Sequence, residues 1–162
     1  MNMADLASIA LSSFILIIPA YIANSIPVLF KGRRPIDFGK NFSDGRRILG
    51  DGKTFEGFIS GLFFGTLAGA AVGYPFHSFL LALGALVGDI AGAFVKRRIG
   101  IPRGGPAPVL DQLDFILGAL LFVSPLYLVT IEQFIFIILV TPPIHLFTNY
   151  MAYLLKLKPH PW

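Results

Sequence analysis

The chain has no cysteine among its 162 residues. That excludes disulfides and thiolate metal sites and leaves the redox compartment unmarked. Charge is scarce as well: Asp, Glu, Lys and Arg make up 14% of the sequence, against about a quarter in ordinary soluble domains. There is no sustained repeat and no tract of disorder-promoting composition. The first 30 residues lack the basic n-region of a secretory signal, carry Asp5, and reach no basic cluster until Lys31. They read as a retained spanning helix. What fills the sequence instead is apolar: 55% hydrophobic residues, 16 of them Phe, with a mean hydropathy of +0.74. A net charge of +4 alone would suit nucleic acid or an anionic membrane surface, but this hydrophobicity argues for a chain that lives inside the bilayer.

Five segments are long enough to span or nearly so: residues 6–30, 55–72, 75–97, 111–129 and 131–157. The predicted class is therefore an all-α, polytopic membrane protein, one integral-membrane domain over residues 1–162. In the second segment Gly57, Gly61, Gly65 and Gly69 recur every fourth residue. They form a small-residue stripe that admits a neighbouring backbone, within the subunit or, equally, across a homodimer. Pro142 and Pro143 fall inside the fifth segment and predict a kink.

The 13 basic residues divide as seven in 31–53, four in 96–103, and Lys156 and Lys158. With five spans all of these fall on one side, and seven of the nine acidic residues join them. The positive-inside rule makes that side cytoplasmic and the N-terminus external. The expected location is the cell membrane, multi-pass, with two cytoplasmic loops carrying a site that faces the cytoplasm.

The loop "DGRRILGDGKTFEG", residues 44–57, resembles a phosphate-binding loop but fails the Walker A pattern, because Arg47 stands where its first glycine is required. No β-strand leads into it either. Still, Asp44, Arg46, Arg47, Asp51 and Lys53 interleave acids, cations and glycines. Hard carboxylate oxygens suit Mg²⁺, and cations suit phosphate oxygens. Lys31 and Arg33 read more simply as a wetted, lipid-facing surface. Asp89 lies seven residues before Lys96, well inside the third segment, in "GALVGDIAGAF". An ionised carboxylate there is expensive unless paired or metal-bound; a salt bridge is the plain alternative. Gly84, Gly88 and Gly92 beside it allow something to approach closely. Asp111 and Asp114 open the fourth segment one turn apart, where N-capping is the plain alternative. Lys96-Arg97-Arg98 reads equally as a stop-transfer flank. Arg103 sits in a Gly/Pro-rich turn able to close over a ligand. His145, Asn149 and Tyr153 share one helix face, either as a polar seam between helices or as part of a cavity. These features point to phosphoryl or nucleotidyl chemistry at a membrane surface.

The motifs carry a more specific likeness. "PAYIANSIPVLF" (19–30), "PIDFGKNFSDGRRILGDGKTFEG" (35–57), "GDIAGAFVKRR" (88–98), "PRGGPAPVLDQLDF" (102–115) and "HLFTNYMAYLLKLKPHPW" (145–162) resemble the archaeal CDP-archaeol synthases, relatives of the phosphatidate cytidylyltransferases. The resemblance implies a Mg²⁺-dependent transfer of CMP from CTP to the phosphate of unsaturated digeranylgeranylglycerol phosphate, an isoprenoid glycerol phosphate lipid, in archaeal membrane phospholipid biosynthesis. It implies Asp44, Lys53, Asp89, Lys96 and Asp111 as catalytic residues. Asp89 and Asp111 become the foremost metal ligands, helped by Asp44 and Asp114. Arg46, Arg47 and Lys53 become triphosphate contacts, and Lys96, Arg97 and Arg98 face the lipid phosphate or pyrophosphate. Asn24, Thr54 or backbone groups of the first loop supply cytosine contacts. One departure stands out: the broader cytidylyltransferase pattern places a serine before its Lys-Arg pair, where this chain has Ala93-Phe94-Val95 before Lys96.

Two other classes fit less well. CDP-alcohol phosphotransferases require an Asp-Gly-x-x-Ala-Arg start, and Asp44-Gly45 is followed at once by Arg46. A transporter needs charges along a path through the membrane, and here every basic residue falls at one face. Nucleic acid is excluded as a partner, since the basic loops carry nearly as many carboxylates.

Overall fold

The computed structural model describes residues 3–30, 32–71 and 73–161. Lys31, read above as lipid-facing, and Val72, the predicted end of the second segment, lie outside them. Among the described residues there are five helices: α1 (Met3–Leu29), α2 (Phe55–Ala70), α3 (Pro75–Arg98), α4 (Leu110–Val123) and α5 (Ile131–Leu154). Three of them, α1, α3 and α5, are long and apolar enough to cross a membrane. At 1.5 Å per residue α2 and α4 reach only about 24 and 21 Å, short of a ~30 Å hydrocarbon core. The chain is thus an all-α, polytopic membrane protein.

Local chemistry sets the ends. Thr54 caps α2, its Oγ1 accepting from the Gly57 amide at 3.2 Å. Pro75 starts α3, where its missing N–H is no loss. Thr130 and Gln133 form a reciprocal capping box on α5. The fourth segment stops at Val123 and not at 129, because Pro125 has no N–H to continue the ladder and Ser124 turns its hydroxyl onto the Leu121 carbonyl. The fifth stops at Leu154 and not at 157, in a reversal at Lys156 (φ +58°). The helix continues through Pro142 and Pro143, and just ahead of them the buried Thr141 hydroxyl bonds the Ile137 carbonyl at 2.7 Å and meets the Tyr21 hydroxyl at 2.9 Å.

The glycine stripe of α2 is buried inside the subunit, facing Pro19, Ala23 and Pro27 of α1 and Ser78, Ala82 and Leu86 of α3. A second small-residue seam joins α3 to α4, with Gly84 and Gly88 lying directly on the backbone of Asp114 and Gly118. What comes close to the glycines around Asp89 is therefore a helix. Ile17, Leu81, Phe115, Ile116, Val123 and Ile137 fill the centre. This arrangement gathers residues 32–54, residues 99–109 and residues 155–161 at one end of the bundle: Arg46 reaches the end of α3, Arg103 reaches Asp51, and Gly104 abuts His160.

Candidate active site

At that end lies a cavity of about 580 Å³, a size typical of small-molecule sites. Its chemistry is dominated by two lysine–aspartate pairs. Lys53, from the turn that leads into α2, donates to Asp89 of α3. Lys96, in the last turn of α3, spans both oxygens of Asp111 on α4, at 2.7 and 3.0 Å. Asp111 also accepts the Ala107 amide at 2.8 Å, so it ties down the connection that precedes α4 as well as pairing with Lys96. Asp114 sits one turn on, its carboxylate pressed against the Cα of Gly92, where a side chain would overlap it. The Gly92 position thus lets the α4 carboxylate reach α3 at all. Asn24, Thr54 and Arg97 complete the set of predicted residues that line the cavity. Arg97 holds the Ile101 carbonyl, and Thr54 is the cap of α2.

Asp44, Arg46, Arg47 and Arg98 do not line this cavity; they shape the loop beside it. Arg46 donates to the carbonyls of Arg97 and Arg98 at 3.3 and 2.7 Å, where α3 exposes acceptors at its end. Arg98 packs over the edge-to-face pair of Phe42 and Phe94, 4.8 Å from each centroid, donates to the Arg47 carbonyl at 2.6 Å, and approaches Asp44 at 3.3 Å. Asp44 accepts the Arg46 amide at 3.0 Å. Arg47 pairs with Asp37 at 2.8 Å and Asp51 at 2.7 Å.

Asp37 is the organiser of the first loop, a role the sequence reading left unassigned. Its buried carboxylate accepts amides from Gly39, Leu49 and Gly50 at 3.1, 3.0 and 2.9 Å, besides two Arg47 bonds. Burial alone would raise its pKa; the Arg47 guanidinium and the three amides overcome this and hold it well below the usual carboxylate range. The same contact raises Arg47.

Other lining residues were weighed only loosely or missed. Asp51 and Arg103 face each other at 3.7 Å across the mouth. His145 and Asn149 do line the cavity, with the Asn149 amide nitrogen against the imidazole. Lys158 and His160 arrive from the segment after α5. Spacing in the sequence gives no signal for that return.

Among the described residues, no three acidic or histidine side chains converge as a ready-made metal cage. The donor set nonetheless suits a hard cation: Asp89, Asp111 and Asp114 bring carboxylates to one cavity, and two of them already attract an ammonium group. Mg²⁺ commonly takes one or two carboxylates and completes its shell with water and substrate phosphate.

A family model described as CarS-like, CDP-archaeol synthase, matches residues 6–75 and 72–162. The CDP-archaeol synthase of Pyrococcus furiosus is 48% identical over 94% of this chain and 98% of its own. Those of Pyrobaculum islandicum and Saccharolobus islandicus are 50% and 52% identical, over 92% and 94% of this chain and 96% of each relative. A solved structure, described as an intramembrane enzyme for archaeal membrane lipids biosynthesis, superposes with a TM-score of 0.80 at 50% identity, covering 86% of this chain and 93% of that one.

Proposed function

The chain belongs to the CDP-archaeol synthase family, and from that premise we propose that it transfers CMP from CTP to the phosphate of unsaturated digeranylgeranylglycerol phosphate, releasing pyrophosphate. The enzyme is a CTP:lipid-phosphate cytidylyltransferase, a single domain over the whole chain. The observation that carries the reading is the cavity holding the Lys53–Asp89 and Lys96–Asp111 pairs with Asp114, set at the polar end of an apolar bundle. An anionic headgroup and a nucleotide triphosphate can meet there while two isoprenoid chains leave sideways between helices into the bilayer.

In the reaction an oxygen of the lipid phosphate attacks the α-phosphorus of CTP in line, the bond to the β-phosphate breaks, and pyrophosphate leaves. No protein nucleophile takes part. Positioning and charge neutralisation are what the protein must supply. Lys53 and Lys96 hold phosphate oxygens, with Arg97 beside them, and Asn24 and Thr54 lie on the wall available to the cytosine. Asp89, Asp111 and Asp114 would hold Mg²⁺, which when bound neutralises the triphosphate and acts as a Lewis acid. Asp44, Arg46, Arg47 and Arg98 act indirectly, by fixing the loop that presents Lys53.

In this reading the chain crosses the membrane five times, α2 and α4 serving as short spans of about 24 and 21 Å that local thinning of the bilayer accommodates, with the N-terminus outside and the cavity facing the cytoplasm. The positive-inside rule supports it, because the basic segments gather at the cavity end.

Pyrophosphate release from CTP tests the reading. It is measured in detergent or liposomes with the isoprenoid glycerol phosphate, with and without Mg²⁺, for the wild type and Asp89→Asn. Metal-dependent release, lost in the variant, is expected. Binding of CTP with no pyrophosphate formed would overturn it.

A further inference from the structure

Two faces of α2 have opposite surroundings. Gly57, Gly61, Gly65 and Gly69 are buried against α1 and α3. Phe55, Ile59, Phe63 and Leu67 recur at the same four-residue spacing but two positions out of step, which puts them on the opposite side of the helix. Ile59, Phe63 and Leu67 are all exposed. On the outside of a membrane bundle a row of large apolar side chains faces lipid tails. The row does not stop where the helix does. The ring of Phe38, from the first loop, lies 5.4 Å from that of Phe55, tilted by 48°, and Phe38 is 72% exposed. A single exposed apolar ring calls for no explanation; this one continues a row.

The loop fixes Phe38 at that place. Its segment runs beside the start of α2, where the Ile36 amide bonds the Lys53 carbonyl at 2.8 Å and the Phe55 amide bonds the Arg34 carbonyl at 3.0 Å. Asp37 turns inward to its three amides and Arg47, and Phe38 is turned out. Its φ is +50°, a left-handed conformation that glycine or asparagine adopts with less strain. In water a large apolar ring at such a position bears two costs, the strain and its own exposure. The boundary between headgroups and acyl chains removes the second and offsets the first. The neighbouring residues suit that depth: Arg33, Arg34 and Lys40 are exposed close by in the sequence, and cations beside an apolar ring match a negatively charged headgroup layer.

We propose that Phe38 is an interfacial anchor, a loop residue whose ring dips into the headgroup–acyl boundary of the membrane and extends the outer face of α2 beyond its first turn. At about 24 Å, α2 is short for a ~30 Å hydrocarbon core, and a ring added in line with its lipid-facing row reaches the boundary that the helix alone leaves short. The anchored segment is the one bonded to the Lys53 carbonyl, so this wall of the cavity is held level with the headgroups. The inference does not depend on the reaction that the cavity performs.

The test uses the full chain in vesicles of phosphatidylcholine and phosphatidylglycerol, with the single tryptophan of the sequence removed by Trp162→Phe. In that background Phe38→Trp carries one fluorophore in the loop, and Phe63→Trp carries one midway along the lipid-facing row as a reference. Lipids brominated near the glycerol or near the chain terminus report depth, and iodide reports water. The expected result is quenching of Phe38→Trp chiefly by the shallow bromines and of Phe63→Trp chiefly by the deep ones, with little quenching of either by iodide. Strong quenching of Phe38→Trp by iodide, and none by either lipid, places the ring in water and overturns the proposal. Protection from both iodide and bromine overturns it too. If that protection fades on diluting the chain in lipid, a second copy covers the ring; if it persists, the chain covers its own ring. Since the chain has no cysteine, Phe38→Cys bearing a spin label serves where the tryptophan variant fails to fold. Accessibility to oxygen above that to an aqueous nickel chelate supports the anchor, and the reverse overturns it. Neither readout needs turnover, so a failure of the cytidylyltransferase reading leaves the test intact.

Discussion

Lys96 grips both carboxylate oxygens of Asp111, at 2.7 and 3.0 Å, across the junction of α3 and α4. The side chains are only 13% and 26% exposed, so this pair is sheltered enough that removing one partner strands the other charge. Asp111→Asn should lower kcat/KM by about two orders of magnitude, the scale seen when one preorganised electrostatic group is removed. Lys96→Gln should do the same. Because the two act as a unit, the double variant should lose little more than either single one. Losses that multiply in the double variant would mean that the residues act separately.

Asp37 offers a pH-dependent test. Its pKa is held below the unfolded value of about 3.9. A depressed carboxylate contributes stability that is fully present above the unfolded pKa and disappears as pH falls towards the folded one. Asp37→Asn removes that contribution and leaves Arg47 partly uncompensated, a loss of about 3 kcal/mol. The gap in unfolding temperature between wild type and variant should be constant from about pH 5 to 8 and should begin to narrow below about pH 4, closing only as the pH nears the depressed folded-state pKa. A gap of the same size at about pH 3 as at pH 7 would show that the amide contacts, and not the charge, hold the loop.

The apolar runs and the loops of like charge were readable because hydropathy and the positive-inside bias act over many residues at once. Lys53, Asp89, Lys96 and Asp111 could be singled out because charge near or within an apolar helix needs a reason to be there. Their pairing into one cavity follows from the α3–α4 seam. Other features hang on single local conformations. Arg46 reads as a phosphate contact from the mixed charges of its loop, and Arg98 only through the family resemblance; in the structure they bond the carbonyls at the end of α3 and of the first loop, and no sequence spacing signals that use. Asp37 gathers three amides only once its loop has closed. The return of Lys158 depends on a left-handed lysine at 156, a position where glycine would have been the usual signal. The early end of α4 was legible at Pro125, but the apolar run beyond it outweighed that one residue.

The α3–α4 seam makes the last prediction, and it separates packing from chemistry. A Cβ on Gly88 would overlap the Asp114 carbonyl oxygen and lie 3.0 Å from its carbon and 3.2 Å from Gly118 Cα. Backbone cannot swing aside as a side chain can, so α4 must shift as a whole and carry Asp111 and Asp114 with it. Gly88→Ala should therefore cost about 1–3 kcal/mol, the range for overpacking, and should lower turnover as well. Gly52→Ala is the control. Its Cβ would meet only Arg103 Nε, at 3.7 Å, an ordinary contact. Thermal unfolding beside pyrophosphate release reads both effects: a drop in each for Gly88→Ala, and unfolding unchanged for Gly52→Ala. If Gly88→Ala unfolds like wild type, the two helices have slack between them, and direct backbone contact does not set the position of Asp114.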